Sequence, residues 1–83
     1  EPFMETSAVK ALIEAGMPDA RVEVTGDGRH FEAVVVDAGF EGKSLVERHR
    51  MVMATVHEQI ASDELHALSI KALTPEQWEA RKG

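Results

Sequence analysis

Two hydrophobic periods alternate along this chain. Ala8, Val9, Leu12 and Ile13 recur at helical spacing. They predict a helix over roughly 7–16, with Thr6 or Ser7 able to cap it. Gly16 suits the left-handed position after a helix, and Pro18 blocks continuation. The period then changes to two. Arg21-Val22-Glu23-Val24-Thr25 reads as a strand, Gly26-Asp27-Gly28 as a turn, and His30 through Val36 as a second strand. Together they predict a β-hairpin.

Asp37 to Lys43 reads as a loop, with Gly39 and Gly42 around Phe40-Glu41. Ser44 followed by Glu47 is a capping box. Leu45, His49, Val52, Met53, Val56 and Ile60 then fall on one stripe, which predicts a long helix over roughly 44–61. After a connection at Asp63-Glu64, His66 through Ala72 alternates as a third strand. Thr74-Pro75-Glu76-Gln77 opens a short last helix carrying Trp78: Thr74 caps, Pro75 takes the first turn and Gln77 completes the box. The order is α-β-β-α-β-α. The long helix can serve as a right-handed crossover, which makes strands two and three parallel. The fold class is therefore α+β, a two-layer α/β sandwich with a three-stranded mixed sheet.

Composition narrows the function. Eighty-three residues predict one domain with a modest core. An aromatic fraction of 5% leaves aliphatic side chains to fill it. Glu1-Pro2-Phe3 ahead of Met4 reads as a remnant of cloning, which places the native domain at 4–83. The formal charge of −6 repels phosphate backbones, so nucleic-acid binding would need a local basic patch. Zero cysteines exclude a disulfide scaffold and a self-contained zinc or iron–sulfur cage, and fit a reducing compartment. No apolar run is long enough to span a membrane and no signal peptide is evident, so a cytoplasmic location is expected.

Two histidines stand out. His30 and His66 each open a predicted strand. If those strands are parallel neighbours, both imidazoles project from one rim, about 5 Å apart at the backbone. Such a pair is half of a metal or cluster site. A [2Fe–2S] cluster accepts two histidines on one iron and thiolates on the other, and the thiolates would have to come from a partner. The plainer alternative makes His30 a turn residue and His66 a strand cap. Arg48-His49-Arg50 is a second constellation. His49 lies on the apolar stripe and is expected to be a partly buried core histidine. Arg48 and Arg50 should face outward and form, with Lys43, the only dense basic cluster, suited to an acidic partner or to phosphate or to nothing beyond solvation. His57 near the helix end receives no role, the four methionines read as filler, and no nucleophile sits on a recognisable elbow.

Four segments, in order and with matching spacing, resemble the BolA-like family. They are Gly28-Arg29-His30-Phe31; Phe40-Glu41-Gly42-Lys43 through Arg48-His49-Arg50-Met51-Val52; His66 through Ala72; and Leu73-Thr74-Pro75-Glu76-Gln77-Trp78. The resemblance runs from about Thr6 to Arg81 and is closest to the short bacterial IbaG-type branch. It implies a fold like the class II KH domain, in agreement with the order above. It implies a non-enzymatic role in iron–sulfur trafficking or stress response, as partner of a monothiol glutaredoxin. A [2Fe–2S] cluster would be shared with the glutaredoxin cysteine and a glutathione thiol, with none bound by this chain alone. His66 maps to the ligand before the third strand and His30 to the ligand between the first two. The free chain is expected to be a monomer. The competing expectation is a KH-like nucleic-acid-binding regulator using the Lys43, Arg48, Arg50 face. Against it, Gly39-Phe40-Glu41-Gly42 has the spacing of a GXXG loop but carries an acid in the middle.

Overall fold

The computed structural model describes residues 5–27, 30–57 and 68–82. Helix α1 spans Thr6–Gly16, strands β1 and β2 span Arg21–Gly26 and Phe31–Val36, and a single 3₁₀ turn follows at Ala38–Phe40. Helix α2 is Leu45–Val56, strand β3 is Leu68–Leu73 and helix α3 is Pro75–Lys82. The expected order is present. The sheet runs β1-β2-β3, with β1 and β2 antiparallel and β2 and β3 parallel.

Register fixes the two faces of the sheet. Val22 pairs with Val35 and Val24 with Ala33, while Ala33 pairs with Ile70 and Val35 with Ala72. These residues point to the helical layer, because side chains alternate along a strand. Glu23, Glu32, Ser69 and Lys71 occupy the other face and are exposed. Val9 and Ile13 of α1, Phe40 of the 3₁₀ turn, and Val52 and Val56 of α2 complete a core closed to solvent.

The helix ends follow local chemistry. Ser44 Oγ accepts from the Glu47 N–H at 3.2 Å, and the Glu47 carboxylate accepts from the Ser44 N–H at 2.9 Å. That second bond holds the Glu47 carboxyl below the usual carboxylate range. The same reciprocal box forms between Thr74 and Gln77 at the start of α3. α1 has no side-chain cap: Glu5 is its N-cap, not Thr6 or Ser7.

Two further expectations need correction. Gly16 is not left-handed; among the described residues only Gly42 has positive φ, at 75°. Gly16 serves packing instead. A Cβ there would stand 2.6 Å from Thr55 Cγ2, so its hydrogen lets α2 cross close to α1. The other correction concerns the inward stripe of α2. It is Arg48, Val52 and Val56 that are buried, while Leu45 and His49 are exposed. The expected end of this helix at 58–61 lies outside the described residues.

Candidate functional site

His30 stands on the turn one residue before β2, and is not the first residue of the strand. The turn is held from both sides of Asp27. Asp27 Oδ1 accepts from the His30 N–H at 2.9 Å, and the Asp27 N–H donates to the His30 carbonyl at 3.2 Å. Gly26 makes that approach possible, because a Cβ there would meet the His30 carbonyl oxygen at 2.3 Å. The imidazole itself is exposed and makes no hydrogen bond to a described residue.

Phe31, the next residue, pairs with Leu68 across the parallel ladder. The start of β2 and the start of β3 therefore lie at the same end of the sheet. His66 precedes Leu68 by two residues and lies outside the described residues. Among the described residues, no three His, Cys, Asp or Glu side chains are placed to hold a metal.

The Arg48-His49-Arg50 segment divides differently from the expectation. Arg48 is only 7% exposed. Its Nε donates to the Lys43 carbonyl at 3.0 Å, and its Nη1 donates to the Ala72 carbonyl at 3.1 Å and to Gln77 Oε1 at 2.9 Å. The guanidinium also stands 5.8 Å from the Phe40 ring centroid. A buried cation is tolerated when its donors are met, and here neutral oxygens meet them. Arg48 thus ties the start of α2, the end of β3 and the cap of α3 together. His49, expected in the core, faces solvent with Arg50 and Lys43. The basic face is smaller by one cation than the sequence suggested.

The BolA-like protein family model matches residues 7–77. This chain belongs to the BolA-like family. The acid stress protein IbaG of Escherichia coli K12 is 36% identical over 75 residues, covering 90% of this chain and 89% of that one. Protein BOLA2 of Arabidopsis thaliana is 56% identical over 75 residues, covering 84% and 78%. In three dimensions, a bolA protein homologue from Coxiella burnetii superposes with a TM-score of 0.80 at 43% identity, over 92% of this chain and 97% of that one. The matched segment of this BolA-like chain includes the His30 turn, the Arg48 clamp and both capping boxes.

Among the described residues of this BolA-like chain, no helix is long and apolar enough to cross a membrane. Sequence reasoning missed two contributors to the site. In the sequence Asp27 reads only as a turn residue, yet it grips His30 at both backbone groups. Its signal is there: an aspartate three residues before the residue it bonds, inside a glycine turn, is a common side-chain-to-backbone device. Arg48 reads as a surface cation. Its spacing of four from Val52 and eight from Val56 was the available clue.

Proposed function

We propose that this BolA-like protein is a non-enzymatic partner of a monothiol glutaredoxin, sharing a [2Fe–2S] cluster as cargo in iron–sulfur trafficking or stress response. The observation that carries this reading is the His30 turn. An exposed imidazole stands on a backbone turn held by Asp27, at the end of the sheet where β3 also begins, two residues after His66 in sequence. The chain has no thiolate, so such a cluster is completed from outside, by the glutaredoxin cysteine and glutathione. His30 and His66 would be the two ligands from this side.

The family relative named an acid stress protein fits the same chemistry. Imidazole ligates only when its coordinating nitrogen is free of a proton. Acidification therefore weakens a histidine-held cluster. Nucleic-acid binding is less well supported: Arg48, one of the three cations invoked for it, is spent inside the fold.

The test is anaerobic reconstitution of this chain with a monothiol glutaredoxin, glutathione, iron and sulfide. Visible circular dichroism and size exclusion would be compared for the wild type, His30→Ala and His66→Ala. A heterodimer whose cluster spectrum changes or vanishes in each variant is the expected result. Spectra indifferent to both histidines would assign the cluster to the glutaredoxin alone and overturn the reading.

A further inference from the structure

The opposite end of the sheet carries an unused surface. Two adjoining hollows, each of about 320 Å³, share Leu45 and His49. One continues along β3 through Ile70, Lys71, Ala72 and Leu73; the other continues along α2 to Val46 and Arg50. Leu45 is 76% exposed and Val46 59%, the two large apolar side chains most open to water among the described residues.

Four consecutive residues of one strand can line a hollow only if it runs along the strand's edge, since alternate side chains point to opposite faces. β3 is an edge strand, with β2 its one described neighbour. The Leu73 carbonyl accepts from the Asp37 N–H on the β2 side, and the Ala72 carbonyl accepts from Arg48 on the other. By alternation, the Ile70 N–H and C=O face the open edge. Arg48 caps the edge at Ala72 and leaves Ile70 available.

Charge states what fits. The chain has 15 acidic and 9 basic residues, yet among the described residues no carboxylate lines either hollow, while Lys71 and Arg50 do. We propose that this groove docks an extended peptide segment of a partner protein that alternates apolar and acidic residues. Its backbone pairs with Ile70, an apolar side chain enters beside Leu45 on the helical face, and the alternating carboxylates meet Lys71 on the other face, with Arg50 adding to the positive field around the groove. This is strand addition to a sheet edge. A nucleic acid fits less well, because among the described residues no aromatic ring lines the groove for base stacking and only two permanent cations do. The proposal is independent of the cluster reading, which concerns the other end of the sheet.

The test pans a displayed random-peptide library on the whole chain and on Leu45→Asp. The enriched peptide is then titrated into ¹⁵N-labelled protein, with a single-stranded oligonucleotide as competitor. Enrichment of alternating apolar–acidic sequences, shifted and exchange-protected Ile70, and at least tenfold weaker binding to Lys71→Glu/Arg50→Glu would support it. Those two side chains are exposed, so the double variant is expected to fold, and its dispersed spectrum checks that. No enrichment over Leu45→Asp, enrichment of basic sequences, shifts that miss Ile70, or displacement by the oligonucleotide would each overturn it.

Discussion

Arg48 is held by acceptors rather than by a counter-ion, so its replacements should rank by geometry. Arg48→Ala leaves the Ala72 carbonyl and one Gln77 bond without their donor inside the fold, and is expected to cost about 2–4 kcal/mol in urea unfolding. Arg48→Lys should recover little, because one ammonium on a flexible stem does not reproduce the planar fork that reaches Lys43, Ala72 and Gln77 together. Recovery close to wild type in the lysine variant would show that charge alone suffices. At the other end, Asp27 holds the backbone of His30. Asp27→Ala is expected to speed hydrogen exchange at the His30 amide while Phe31 and the ladder beyond it stay protected. In the reconstituted heterodimer the same change should alter the cluster's circular dichroism less than His30→Ala does.

The helices and strands themselves were largely legible, and the reasons are local. Ser44 with Glu47, and Thr74 with Gln77, announce their caps because each box is written in adjacent residues. The hairpin follows from alternation around a glycine turn. What was not legible is the rotation of α2. Hydrophobic weighting favoured Leu45 and His49, but the sheet edge receives that turn of the helix, and tertiary hydrogen bonds draw in Arg48 instead. Nor does sequence say that Gly16 is kept small by Thr55, since that contact joins two helices. Gly16→Ala tests it. An exposed helical alanine would normally gain up to about 1 kcal/mol over glycine. Here a lower melting temperature is expected, partly restored by Thr55→Ala, which removes the nearest atom. The Glu47 box has its own signature in pH. Its carboxyl is lowered in the folded chain, so its contribution is full above the unfolded value and lost as pH falls through the folded one. The stability gap between wild type and Glu47→Gln should narrow as pH falls below the unfolded glutamate value of about 4.3.

At the scale of the molecule, the two surfaces lie at different levels along β2 and β3. The groove begins at Ile70, level with Ala33, so at about 3.3 Å per residue its near end lies about 10 Å along the strand from His30 and its far end, at Leu73, about 20 Å. The candidate cluster ligands rest on the sequence pattern, two histidines shortly ahead of β2 and β3; His30 stands on the turn before β2, and His66 lies outside the described residues. The groove was not, because it exists only where α2 meets an edge of the sheet. Separation of that kind allows both surfaces to be engaged at once. Leu45→Asp should leave the reconstituted cluster spectrum unchanged, and His30→Ala should leave peptide affinity unchanged. Loss of both on either substitution, measured side by side, would mean that the two ends are coupled.

The Arg48 clamp also bears on how the chain is made. Its guanidinium is synthesised before two of its three acceptors, which follow 24 and 29 residues later at Ala72 and Gln77. Until those residues leave the ribosome, a cation stands where the core should close, and α2 has no reason to bury it. A nascent chain stalled ahead of Ala72 should therefore remain open to protease and to chaperones. One released past Gln77 can lock as a unit.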